Sequence, residues 1–345
     1  SLLSRHLISD PEVSVLVKTE LSYKNNSETF TIENSGFICV PKLVKEYESR
    51  TDIMGIDLGS TTSVLAVSRN TGIHVIPFDN SSPGDLWTES VVSFDEDKPL
   101  FGKAAIRRLK TKPDHVIFDH KLFYSLDHRD MLSEQSILPF KFNFKNDQIY
   151  IGSMTSKGWK EFSIEDINAI FLGHMAKSAS DYQDDFNRNP VTKAVITIPT
   201  YFHRYGQIAP FISSAIEAAK LANIKVIDII EETHADLLYY FSNARYYKMI
   251  KPGMSIAIFD IGGGTTVCNC YEIFERDGKR HAICFRELHT LDDYGSSWSG
   301  RAIDNILIKE LEKSIPEDLR KHVKLRTLET AKKIKNELSF KEKDE

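Results

Sequence analysis

Asp260-Ile-Gly-Gly-Gly-Thr-Thr-Val267 is the stretch that decides how this chain folds. It follows Ser255-Ile-Ala-Ile-Phe259, a short apolar run without helical spacing, which reads as a buried strand. Three glycines directly after a strand let the backbone turn sharply and approach a ligand closely, and the exposed N–H groups of such a turn form a concave anion site. Phosphate is the natural guest. Asp260, at the strand end, is placed to hold a hydrated divalent cation beside it. About two hundred residues earlier the pattern recurs as Ile56-Asp57-Leu-Gly-Ser-Thr-Thr62, followed by Ser63-Val-Leu-Ala-Val67. Both copies read strand, Asp, apolar residue, Gly, hydroxyls, strand. Two such hairpins facing each other would grip one nucleotide from both sides.

Bulk properties mostly exclude. The 345 residues suffice for two domains or two large lobes, each with its own core. Lys plus Arg number 44 against 49 Asp plus Glu, and the net charge of −5 points away from nucleic acid. No apolar run approaches the roughly twenty residues of a membrane span, so no membrane partner is expected. Cys39, Cys268, Cys270 and Cys284 make no C-x-x-C pair and no zinc spacing, and read as reduced, mostly buried thiols. Ser1-Leu-Leu-Ser-Arg-His-Leu-Ile8 is too short for a signal peptide, which leaves the compartment open between cytoplasm and ER lumen.

Residues 1–52 differ from the rest of the chain. Glu12–Val17, Thr29–Ile32 and Phe37–Val40 are short β-like runs between polar turns, a small extension to which no function is assigned. Strands are expected at His74–Phe78 and Ser90–Phe94, then a helix through Leu109. Lys121, in Val116-Ile-Phe-Asp-His-Lys121, has two readings: a solvated surface lysine, the default for its type, or the positive charge that a phosphoryl transfer needs. Ser163-Ile-Glu-Asp166 has the form of a capping box, and Ile167, Ile170, Phe171, Met175, Ala179 and Tyr182 give the helix it opens an apolar stripe. A β-α-β passage comes next: strand Lys193–Pro199, a helix over about 208–219 with Pro210 in its first turn or kinking it, and strand Lys225–Ile230. Glu231 and Glu232 close that strand, where α/β folds gather polar site residues, though an acidic pair there is commonly just a solvated helix start.

Four of these segments are collinear with one family. Gly55-Ile-Asp-Leu-Gly59, Ala194-Val-Ile-Thr-Ile-Pro-Thr-Tyr-Phe202, Ile229-Ile-Glu-Glu232 and Phe259-Asp-Ile-Gly-Gly-Gly-Thr265 resemble, in order and spacing, the nucleotide-binding domain of the seventy-kilodalton heat-shock chaperones, members of the actin, hexokinase and chaperone superfamily. The resemblance implies an α/β, actin-like ATPase fold duplicated on the ribonuclease H pattern, with two lobes around a nucleotide cleft and the second lobe incomplete. On it, residues 53–240 form the first lobe and 241–345 a partial second lobe. It further implies ATP or ADP and Mg²⁺ as cofactors, and other chaperones or unfolded clients as partners. Asp57 and Asp260 match the cation-side carboxylates, Gly59, Ser60 and Thr61 the first phosphate turn, and Gly262, Gly263, Gly264 and Thr265 the second. Lys121 matches the catalytic lysine and Glu232 the glutamate that positions the attacking water, while Lys335 and Ser339 match adenosine-side positions. A sugar or glycerol kinase fits less well, because Lys121 and Tyr201-Phe202 match the chaperone branch; a structural subunit keeping the fold as a scaffold is the other alternative.

The sequence also departs from the family. Val267 stands where a carboxylate is usual, Thr233 where proline follows the glutamate, Gln207 and Asn336 where arginines are usual, and Ser299-Gly-Arg-Ala302 replaces a Gly-Gly-Glu-Asp-like segment. Strand alternation puts Val267 on the face of Thr265, so an apolar group is expected toward the cleft and hydrolysis is expected to be slow. These changes, with Thr265-Thr-Val-Cys268, resemble the larger, diverged relatives that serve as nucleotide-exchange factors and holdases. The family's second adenosine motif, linker and peptide-binding domain have no counterpart before Glu345, which leaves open a fragment of a longer protein or a shortened relative.

Overall fold

The computed structural model describes residues 22–25, 28–31, 37–39, 52–69, 72–79, 84–121, 138–145, 148–183, 190–199, 208–264, 266–276, 278–289 and 299–340. Glu12–Val17, Tyr201, Phe202, Gln207, Thr265 and the C-terminal five residues lie outside them.

Burial alternates along Ile53–Asp57 (β1) and Thr62–Arg69 (β2), so that Met54, Ile56, Leu65 and Val67 share one buried face. The two strands form an antiparallel hairpin extended by Gly72–Ile76 (β3). On the other side of β1 run Lys193–Ile198 (β4) and Lys225–Glu231 (β5), each parallel to its neighbour, giving the order β5-β4-β1-β2-β3. The carboxyl ends of the three parallel strands therefore share an edge, the usual place for a ligand in such sheets.

Helix α1 (Ile164–Gln183) starts as its sequence predicts. The Asp166 N–H donates to the Ser163 hydroxyl at 3.0 Å and the Ser163 N–H to the Asp166 carboxylate at 2.9 Å, a reciprocal capping box. Its stripe enters the first core at Ile167, Phe171, Met175 and Ala179, but Tyr182 does not, standing 40% exposed beneath the Arg69 guanidinium. Helix α2 (Ile208–Leu221) carries Pro210 in its first turn, where the missing N–H has no intrahelical partner to lose, and connects β4 to β5.

A second antiparallel sheet is built from Ser255–Ile261 (β6), Thr266–Arg276 (β7) and Lys279–His289 (β8), with Phe37–Cys39 from the N-terminal region pairing along β8. Helix α3 (Glu232–Ser242) lays Leu237 and Phe241 on Ile258, Tyr271 and Ile273 to make a second core. The strand before the glycines is not the fully buried one expected from its apolar run. Among the described residues α3 covers one face of β6, and on the other Phe259 and Ile261 stand 67% and 70% exposed. An unbroken apolar run reads as two-sided burial, and the sequence carries no sign that one side is open. Helices α4 (Gly300–Glu312) and α5 (Glu317–Phe340) complete the described chain. No described helix is long and apolar enough to cross a membrane.

Candidate functional site

The first turn, at the end of β1, is fixed from below by Ser90. The Ser90 hydroxyl donates to the Gly59 carbonyl at 2.6 Å, its N–H donates to the Thr61 carbonyl at 2.9 Å, and its oxygen lies 2.8 Å from that of Ser63. A side chain at Gly59 would collide with the Thr62 carbonyl oxygen, so the tight turn requires glycine. Asp57 ends β1 and accepts a hydrogen bond from the Thr197 hydroxyl of β4 at 3.1 Å. Ser60 is half-buried and Thr61 is exposed above it.

The second turn is held by the start of α4. The Gly300 N–H donates to the Gly262 carbonyl at 3.1 Å and the Arg301 N–H to the Gly263 carbonyl at 2.8 Å. Ser299 caps this helix, accepting from the Ala302 N–H. The two turns meet: a β-carbon added to Gly263 would land on the Thr61 hydroxyl. Lys335 reaches the same edge from α5, donating to the Gly300 carbonyl at 3.0 Å and pairing with Asp304 at 2.7 Å. Ser339 turns back on its own helix, donating to the Lys335 carbonyl at 2.8 Å from an exposed position.

Lys121 is not the surface lysine its type predicts. It is 6% exposed, and its Nζ donates to Glu232 Oε1 at 2.7 Å. Burial works to lower its pKa, but the charges of Glu232, Asp57 and Asp260 outweigh that and hold it above the ordinary lysine value. Burial pushes Glu232 the other way, up from the usual carboxylate range, with Asp57 and Asp260 adding to the effect and Lys121 opposing it. Asp260 is raised by burial, then by Asp236 and Asp57. Asp236 belongs to neither glycine turn and to none of the four collinear segments. It stands one turn after Glu232 on α3, and burial with the charges of Asp57 and Glu232 raises it to about 6. Next to Lys121, fully buried His120 stacks on Phe171 and stays neutral because burial lowers it to about 4. Asp119, in the left-handed region at φ 56°, pairs with Arg301 of α4 across the cleft.

A family model described as Hsp70 protein matches residues 53–345. The chain belongs to the Hsp70 family. Residues 53–345 are thus a chaperone ATP-binding module, and the mixed α/β sheets and helices are those of the actin-like ATPase fold. Hsp70 domains in general bind ATP or ADP with Mg²⁺. The residues here suit such a group: the glycine turns leave no room for a β-carbon at their closest approach, and Asp57 and Asp260 offer the hard oxygen donors that Mg²⁺ takes. No three His, Cys, Asp or Glu side chains converge as a preformed cage among the described residues.

Of the residues anticipated from sequence, Asp57, Gly59, Ser60, Thr61, Lys121, Glu232, Asp260, Gly262, Gly263 and Gly264 gather at this cleft, with Lys335 at its edge. Val267 lies directly opposite Asp260 in the sheet register, on the same face, and is 1% exposed. Asp236, Ser90 and the Asp119–Arg301 pair were missed. The four-residue spacing from Glu232 signals Asp236, since both then share a helix side; nothing in the sequence marks Ser90 or the pair.

Proposed function

We propose that this Hsp70-family chain binds ATP or ADP with Mg²⁺ between its two glycine turns and turns ATP over slowly. The observation that carries the reading is the buried Lys121–Glu232 pair, set among Asp57 and Asp260 where the two turns meet. Phosphoryl transfer to water needs electrostatic stabilisation and a group that orients the water. Lys121 supplies the localised charge, and the raised Glu232 carboxylate is suited to hold and accept a proton near neutral pH. Asp57 and Asp260 would hold a Mg²⁺ ion, which supplies charge neutralisation at the phosphates when bound. Lys335 would contact the adenosine side, and Ser339 lies one turn further along α5.

Slow turnover rests on Val267, whose aliphatic side chain lies opposite Asp260 and cannot ligate a cation or hold one of its waters. It supports the hydrolysis-poor exchange factor or holdase of the larger, diverged branch, acting on other chaperones or unfolded clients. Calorimetric titration with ATP and ADP, with and without Mg²⁺, tests the reading together with single-turnover hydrolysis. Binding of both nucleotides with slow turnover is expected. Absence of binding by either would favour a scaffold that retains the fold for its contacts.

A further inference from the structure

Glu232 opens α3 without a side-chain cap, so something else must fix the first turn of that helix. Its neighbour Thr233 does. The Thr233 hydroxyl oxygen accepts from Asn269 Nδ2 at 2.8 Å and from the Tyr271 hydroxyl at 3.0 Å, and all three residues are 0% exposed. Burial keeps the Tyr271 phenol protonated and therefore a donor. Asn269 Nδ2 also lies 3.5 Å from the Tyr271 hydroxyl, which closes the triangle. His234 packs edge-on against the Tyr271 ring at 5.6 Å, and its Nε2 lies 3.3 Å from Glu231.

The placement of the donors gives this network a consequence beyond stability. Asn269 and Tyr271 are alternate residues of β7, the strand that leaves the second glycine turn, and they share the face that carries Asp260 and Val267. Thr233 is covalently next to Glu232. One buried hydroxyl thus ties the strand from the phosphate turn to the residue beside the Lys121 partner, and polar atoms so deeply buried tolerate few other arrangements.

We propose that Thr233, with Asn269 and Tyr271, is a positioning group that holds Glu232 in register with the second glycine turn. The proposal rests on the nucleotide reading of the cleft, and it assigns Thr233 no contact with nucleotide. Thr233→Val removes the hydroxyl at nearly constant volume, whereas Thr233→Ser keeps it. In the whole chain, single-turnover ATP hydrolysis should fall about 10- to 100-fold in Thr233→Val, as for lost positioning contacts elsewhere. The ATP Kd measured by calorimetry should hold, and Thr233→Ser should restore the parent rate. Tyr271→Phe deletes one donor and no carbon, and should give the same separation of rate from affinity in a well-packed chain.

Unchanged turnover in both Thr233→Val and Tyr271→Phe would overturn the proposal. So would equal losses in Thr233→Val and Thr233→Ser, or a rate and affinity that fall together. A parent chain that binds ATP without any turnover overturns the positioning role and leaves nucleotide binding standing. A parent chain that binds no adenine nucleotide overturns both.

Discussion

Lys121 Nζ and Glu232 Oε1 lie 2.7 Å apart in a pair whose side chains are 7% and 13% exposed, joining a residue three positions beyond the short strand Val116–Phe118 to the first residue of α3. Neither partner is tolerable alone. Removing one member of a buried pair strands the other, a loss of about 3–5 kcal/mol. Lys121→Ala should show this in urea unfolding, and the loss should depend on pH. Without Lys121, Glu232 sits among Asp57 and Asp260 with its pKa raised further, so its charged form costs stability that is absent well below its unfolded pKa and grows as pH rises through the folded one. The deficit should therefore be larger at pH 8 than at pH 5. Turnover should fall while ADP affinity stays nearly unchanged, because a point charge near the transferring group acts mainly in the transition state. A pH-independent deficit, or a proportionate loss of ADP binding, would show that the pair is ordinary scaffolding.

Gly263 is the closest approach of the two turns, and any side chain there meets the Thr61 hydroxyl. Nucleotide at a hundredfold excess over Kd should stabilise the parent chain by about 2.7 kcal/mol through linkage. Gly263→Val should abolish that shift in Tm while leaving a folded chain with the parent's circular dichroism. A variant that still responds to ADP like the parent would place the phosphate elsewhere.

Asp236 is raised to about 6 by burial and by the charges of Asp57 and Glu232. The sign follows from linkage. A carboxyl with a folded pKa above its unfolded one is bound more tightly to its proton in the native state, so stability falls as pH rises from about 4 through about 6. Asp236→Asn should flatten that decline in a series of thermal melts without ligand. An identical profile in the variant would mean that the neighbouring charges do not reach Asp236.

Val267→Asp places a second carboxylate directly across the sheet from Asp260 at a position 1% exposed. The free chain should lose stability, since an unpaired buried charge is costly. With Mg²⁺ and nucleotide present the same carboxylate should help. Mg²⁺-dependent hydrolysis should rise by about 10- to 100-fold, the usual weight of an outer-shell ligand, with little change in ADP affinity. Turnover by the parent at the rate of an ordinary Hsp70 domain would refute the slow-hydrolysis reading.

What the sequence determined by itself was the set of local signals. The paired strand-turn-strand segments at Asp57 and Asp260, the Ser163–Asp166 capping box and the β-α-β passage from Lys193 to Glu231 depend on short-range rules: alternation, glycine geometry and helix capping. Tertiary structure decided what no local pattern encodes. Burial of Lys121 depends on α3 arriving from more than a hundred residues away with Glu232 at its first position. The exposed face of β6, carrying Phe259 and Ile261, depends on which elements pack above it, and an apolar run reads alike whether one side or two are covered. The Thr233–Asn269–Tyr271 triangle joins a helix start to alternate positions of a strand, three residues of ordinary type whose chemistry exists only when the chain brings them within 3.5 Å.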